Sequence, residues 1–170
     1  QAEGEELEAA QTSKDAMAFW QYSSGTTGLP KGVVHLQHDM SYCAAHYPLD
    51  VLGMDEGDIT FSIAKLFFAY GLGNSLYFPF GVGASTVLDP EKFDPERVFG
   101  LIQRYRPTLF FAVPTAYRAL LNLEGADQRY DLSSLRLCVS AGEPLPPLLY
   151  HSWRERFGLE VLDGIGMTEA

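Results

Sequence analysis

The sequence predicts an α/β fold, a largely parallel sheet flanked by helices. Three observations lead there. Strand-like and helix-like stretches alternate through most of the chain with short connections, the pattern of a doubly wound sheet. Leu109-Phe110-Phe111-Ala112-Val113 is an unbroken apolar run, the mark of a strand covered on both faces. With 46% apolar and 20% charged residues, the 170-residue chain has the composition of an ordinary globular domain, long enough to bury a core.

Residues 1–16 form a polar lead-in with Glu3, Glu5, Glu6 and Glu8, a solvated charge run that reads as a frayed helix or the tail of a neighbouring element. Residues 17–170 form the α/β unit. Met17 to Tyr22 reads as a buried strand, Val33-Val34-His35 as its return, and His38 to His46 as a helix. Asp58 to Ser62 alternates as a strand after the turn signal Asp55-Glu56-Gly57. The apolar window Phe61 to Phe80 carries Lys65, Asn74, two glycines and Pro79, and reads as a strand plus a buried helix, not a membrane span. Ala84 to Leu88 is the next strand. Asp94-Pro95 starts a helix by the N-cap and first-turn proline rule, with Val98, Phe99, Leu101, Ile102 and Tyr105 on one face up to Pro107. After Leu109 to Val113, Pro114-Thr115 opens a helix to Leu123; Leu135 to Ser140 is a strand, Pro146 to Phe157 a helix and Leu159 to Leu162 a strand.

A formal net charge of −10 argues against nucleic acid or an anionic membrane as partner, since both are bound through dense Lys/Arg patches. Cys43 and Cys138 stand far apart in no metal-ligand spacing, which excludes a disulfide framework or a zinc site and points to the cytoplasm. The acidic, polar first residues do not have the basic start and apolar run of a secretory signal. His35, His38, His46 and His151 share no ligand spacing and read as surface or packing histidines.

The chemistry is concentrated in Tyr22-Ser23-Ser24-Gly25-Thr26-Thr27-Gly28-Leu29-Pro30-Lys31-Gly32. Glycines let backbone N–H groups approach oxygen atoms closely. Ser23, Ser24, Thr26 and Thr27 add hydroxyl donors, and Lys31 adds a mobile positive charge, so the string suits a polyphosphate. It is not a Walker loop, because Gly25 and Gly28 are too close and Gly32 follows the lysine, and it lacks G-x-G-x-x-G. Residue for residue, it resembles the signature loop of the adenylate-forming superfamily: acyl- and aryl-CoA synthetases, luciferases and peptide-synthetase adenylation domains. The resemblance extends from Met17 to Ala170 and implies that Ser23, Ser24, Gly25, Thr26, Thr27, Gly28 and Lys31 embrace the β- and γ-phosphates of ATP.

Ligands of open α/β sheets gather at the carboxyl ends of strands, and three further segments lie there. Ser140-Ala141-Gly142-Glu143-Pro144-Leu145 fits either a plain βα turn or a close approach to a flat ring; the resemblance makes Gly142, Glu143 and Pro144 adenine contacts. Asp163-Gly164-Ile165-Gly166-Met167-Thr168-Glu169 fits a helix N-cap with an acidic first turn, or a hydroxyl and carboxylate holding phosphate and Mg2+. By resemblance, Thr168 contacts the α-phosphate, Glu169 binds Mg2+, and Asp163 and Gly164 line the nucleotide. Phe67-Phe68-Ala69-Tyr70-Gly71-Leu72-Gly73 fits core packing or a substrate wall. It is most similar to the benzoate-CoA ligase branch, which makes Phe68, Ala69, Tyr70, Gly164 and Gly166 candidates for the acyl pocket.

What the resemblance implies is an AMP-forming acid–thiol ligase acting on an aromatic carboxylate, with ATP, Mg2+ and CoA as cofactor and co-substrates and Lys31, Thr168 and Glu169 at the reacting phosphates. It also implies an internal piece of the large N-terminal domain, without the upstream part or the C-terminal lid and unable to turn over alone. Two alternatives stay open: an adenylation domain that loads a carrier-protein thiol, and a non-catalytic nucleotide-binding module.

Overall fold

The computed structural model describes residues 8–24 and 28–169. Gly25, Thr26 and Thr27 of the phosphate-loop string, and the glutamates at 3, 5 and 6, lie outside the described residues. In chain order the elements are β1 (Met17–Ser24), β2 (Pro30–Leu36), α1 (Asp39–His46), β3 (Ile59–Ser62), α2 (Ala69–Leu72), α3 (Phe78–Gly81), β4 (Ser85–Val87), α4 (Pro95–Tyr105), β5 (Leu109–Ala112), α5 (Pro114–Leu121), α6 (Ala126–Arg129), β6 (Leu137–Ser140), α7 (Pro147–Phe157) and β7 (Val161–Asp163). Two single π-turns, Tyr47–Val51 and Gly73–Tyr77, extend α1 and join α2 to α3.

Five strands make one sheet in the order β4-β3-β5-β6-β7, every neighbouring pair parallel. The predicted strands are all present, β3 to β6 each trimmed by one or more residues and β7 shifted to end at Asp163. Leu109, Phe110, Phe111 and Ala112 have no exposed surface, and their alternation feeds two cores. Phe110, Ala112 and Cys138 pack on one face against Val98, Phe99 and Ile102 of α4, Ala116 and Tyr117 of α5 and Trp153 of α7. Leu109, Phe111 and Val139 pack on the other face against Leu52, Met54 and Ala84. Helix α4 opens as its sequence dictates: the Asp94 carboxylate accepts the Arg97 amide at 2.8 Å with Pro95 in the first turn. Its buried stripe is narrower than expected, because Tyr105 is 45% exposed and Leu101 only half-buried.

The amino-terminal edge of the sheet is tied by charge. Asp58, just before β3, accepts two bonds from the Arg136 guanidinium at 2.9 and 2.7 Å and one from the Thr108 hydroxyl at 2.6 Å, joining the starts of β3, β5 and β6. Arg136 also donates to the carbonyls of Leu52 and Gly53.

One expectation is corrected. The strand at Met17–Tyr22 pairs antiparallel with its expected return, β2, in a separate two-stranded sheet, but it is not buried: Met17, Trp20 and Tyr22 are exposed. An apolar run covered on one face only carries the same residue types as one covered on both. The window Phe61–Phe80 yields a strand and a helix as expected: α2, the π-turn Gly73–Tyr77 and α3 follow one another without a break, with Gly71, Gly73, Asn74, Ser75 and Pro79 buried. Among the described residues no helix is long and apolar enough to cross a membrane, and residues 8–13 carry no helix.

Candidate functional site

Register in the β1–β2 hairpin decides which of its side chains face the body. Phe19 opposes His35, Gln21 opposes Val33 and Ser23 opposes Lys31, while Trp20 opposes Val34, Tyr22 opposes Gly32 and Ser24 opposes Pro30. Opposed residues of an antiparallel pair share a face, and successive residues alternate. Ser23, Lys31, His35 and Phe19 therefore share one face, and Ser24 lies on the other with Trp20 and Tyr22. The first face meets the segment after β7: the Ser23 hydroxyl donates to Glu169 Oε1 at 3.1 Å, and His35 Nε2 lies 2.8 Å from the Thr168 carbonyl oxygen. The hydroxyl-rich hairpin and the Thr-Glu pair, 146 residues apart in sequence, are thus in contact.

Two clefts flank this junction. One, of about 350 Å³, is lined by Gly142, Glu143, Pro144, Asp163, Gly164, Ile165 and Gly166. It forms where the carboxyl ends of β6 and β7 lie side by side, Ser140 opposite Asp163. The chain turns away there through Gly142 at φ +92°, a conformation L side chains rarely adopt. The Gly164 amide donates to the Ser140 carbonyl at 2.7 Å, and one Asp163 carboxylate oxygen accepts the Leu145 amide at 3.2 Å. These bonds hold the two strand-end loops as opposite walls.

The second cleft, of about 270 Å³, is bordered by Thr168 and Glu169 on one side and by Phe19, Gln21, His35, Cys43, Ala69 and Tyr77 on others. Burial pushes the Cys43 thiol up, with the Asp39 carboxylate adding to the effect, and pushes the Tyr77 phenol up to about 12, so both are neutral donors at ordinary pH. Tyr70 turns inward: its hydroxyl donates to the Val139 carbonyl at 3.2 Å and reaches Ala112 at 3.4 Å, and burial pushes its phenol up strongly. Its ring meets Phe111 edge-on. Behind it, Gly71 passes so close to the Lys65 backbone that a Cβ would stand 2.2 Å from the carbonyl oxygen.

The residues singled out in the sequence therefore separate. Gly142, Glu143, Pro144, Asp163, Gly164 and Gly166 share one cleft; Thr168, Glu169 and Ala69 border the other; Ser23 and Lys31 share the hairpin face that meets Glu169. Phe68 lines neither cleft and is 57% exposed, its ring against Phe67. Gly164 and Gly166 are not on the Ala69 side. Sequence reasoning missed Phe19, Gln21, Cys43 and Tyr77 and dismissed His35. The period-two alternation of β1, which puts Phe19 and Gln21 on the face of Ser23, is the signal that would have found the first two.

A five-stranded parallel sheet flanked by helices, with clefts beside its carboxyl edge, defines an α/β domain of the open-sheet class. The sequence matches the family described as AMP-binding enzyme over residues 1–170, and the chain belongs to that family. It is 49% identical over 165 residues to a benzoate–CoA ligase of Thauera aromatica, a match covering 97% of this chain and 31% of that protein. It is also 49% identical over 164 residues to a 4-hydroxybenzoate–CoA/benzoate–CoA ligase of Rhodopseudomonas palustris, covering 94% and 30%. Among solved structures, the anthranilate CoA ligase AuaEII in complex with anthranoyl-AMP superposes with a TM-score of 0.93 at 48% identity, covering 96% of this chain and 32% of that one. The chain spans about a third of the length of these relatives.

Proposed function

We propose that this chain supplies the nucleotide-binding part of an AMP-forming acid–thiol ligase that activates an aromatic carboxylate, such as benzoate or a hydroxybenzoate, as its acyl-adenylate and passes it to CoA in the cytoplasm. The observation that carries this reading is the bond from Ser23 to Glu169, which brings the hairpin and the Thr-Glu pair together beside the glycine-walled cleft. The names of the relatives, and the anthranoyl-AMP in one of them, support the aryl substrate and the adenylate step.

In this reading the adenine lies against Gly142, Glu143 and Pro144, with Asp163 and Gly164 on the facing wall. Ser23, Gly25, Thr26, Thr27, Gly28 and Lys31 hold the β- and γ-phosphates, Thr168 holds the α-phosphate, and Ala69 faces the acyl group, whereas Ser24 lies on the other hairpin face and the Tyr70 hydroxyl is turned to the sheet carbonyls. Among the described residues no three His, Cys, Asp or Glu side chains gather as a metal site. The donors at hand, one carboxylate of Glu169 with hydroxyls beside it, fit Mg2+, which takes few protein carboxylates and shares the phosphates of its nucleotide. When bound it supplies neutralisation of phosphate charge. A substrate carboxylate oxygen attacks the α-phosphorus and the bond to pyrophosphate breaks; the CoA sulfur then attacks the acyl carbon and AMP leaves. The protein's part is to hold the reacting groups in line and to oppose their charge.

The test is ATP–pyrophosphate exchange by the intact polypeptide carrying this sequence, against a panel of benzoates, hydroxybenzoates and fatty acids. Exchange is expected with the aryl acids, and thioester on addition of CoA. Preference for long aliphatic acids would remove the aryl assignment, and exchange without thioester would shift the acceptor to a carrier-protein thiol.

A further inference from the structure

His35 has no part in the scheme above, yet its ring is fixed on three sides. It stacks on Phe19 with centroids 4.8 Å apart and planes 14° from parallel. Its Nδ1 lies 3.4 Å from Asp39 Oδ2 at the start of α1, and that oxygen is itself held by the Leu36 amide at 2.8 Å. Its Nε2 lies 2.8 Å from the Thr168 carbonyl oxygen, and the side chain is only 13% exposed. A carbonyl can only accept, so Nε2 carries the hydrogen in this contact.

The segment it grips has little else to order it. Residues 164–169 form no helix or strand, and Ile165 and Met167 are 98% and 61% exposed. Without a backbone ladder or a buried apolar anchor, the direction of Thr168 and Glu169 depends on contacts such as these. Among the described residues two side-chain bonds reach this pair from the hairpin: Ser23 holds the Glu169 carboxylate and His35 holds the backbone.

We propose that His35 is a positioning residue: its Nε2–H, held in place by the stack on Phe19, fixes the Thr168 carbonyl and so aims the Thr168 hydroxyl and the Glu169 carboxylate at the phosphates and Mg2+ of a bound nucleotide. This rests on the proposed reading of the site as one for MgATP. The ring acts through the backbone it holds and touches no reacting atom.

The experiment measures equilibrium binding of ATP to the intact polypeptide, with Mg2+ and with EDTA, in the parent and in His35→Phe and His35→Gln. Phenylalanine keeps the stack on Phe19 and loses the donor; glutamine places an amide nitrogen where Nε2 stands and keeps it. His35→Phe is expected to lose about tenfold of the affinity that Mg2+ adds. Its metal-free binding should change by less than about threefold, near the net worth of one hydrogen bond. His35→Gln is expected to regain most of the loss, and Tm should stay close to the parent's in both. The role is overturned if His35→Phe binds MgATP as the parent does, if metal-free and metal-bound affinity fall together with Tm, or if His35→Gln is as impaired as His35→Phe. A parent that shows no Mg2+-dependent binding of ATP overturns the site reading and this role together, whereas parental binding with a silent His35→Phe overturns the role alone.

Discussion

The parallel sheet and the β1–β2 hairpin are built from similar residues and are held in opposite ways. The sheet strands are three or four residues long, yet β5 is wholly buried and both its faces enter a core. The hairpin strands are eight and seven residues long, and one face presents Trp20 and Tyr22 at 60% and 74% exposure. Burial of a large apolar side chain is worth roughly 1.5–3 kcal/mol, so short strands suffice where every residue is covered. A lone two-stranded ribbon is marginal and depends on what docks against its inner face. Here that face meets the Thr168–Glu169 segment through Ser23 and His35. The sheet is the frame, and the hairpin is the part whose order is coupled to the site.

Mutations can break or sharpen this contrast. The largest effect is expected in the sheet: Phe110→Ala, at a side chain with no exposed surface, should cost about 3–5 kcal/mol in urea denaturation. The hairpin should answer differently. Lys31→Ala, on an exposed side chain, should leave stability within about 0.5 kcal/mol. It should weaken MgATP binding by roughly 1.5–3 kcal/mol, the worth of a charged hydrogen bond, by calorimetry. Equal losses of stability in the two variants would erase the distinction.

The smallest effect is expected at the charged edge of the sheet. Burial pushes the Asp58 carboxyl up, but bonds from Arg136, Thr108 and the Asp55 amide outweigh it and hold it below its ordinary value of 3.8. Its contribution is therefore present above that value and lost as pH falls through the lower, folded one. Asp58→Asn should cost about 1–2 kcal/mol at neutral pH, discounted because the guanidinium is 40% exposed. The gap to the parent should close in acid melts below pH 3.8. A gap that stays constant with pH would assign the effect to shape instead of charge.

Local chemistry was enough to place the elements. Asp94-Pro95 caps α4, the unbroken run at Leu109 is a fully covered strand, and Gly142 marks the turn out of β6, because each depends on neighbours within a few positions. The cleft-lining loops after β6 and β7 were legible too, since residues that follow parallel strands fall at the carboxyl edge. The buried helix at residues 69–81 was legible but its π-turn was not, because Gly71 and Gly73 serve close backbone and ring approaches that involve Lys65 and Phe78.

By itself the sequence determined which segments are strands and helices, that the main sheet is parallel, and which loops leave its carboxyl edge. Only the tertiary structure decided that one face of β1 is exposed, that Ser23 meets Glu169 across 146 positions, and that His35 grips Thr168 while Phe68 faces outward. Periodicity and turn chemistry report what a residue prefers locally. Which faces meet depends on packing between segments far apart in the chain, and no single segment encodes that.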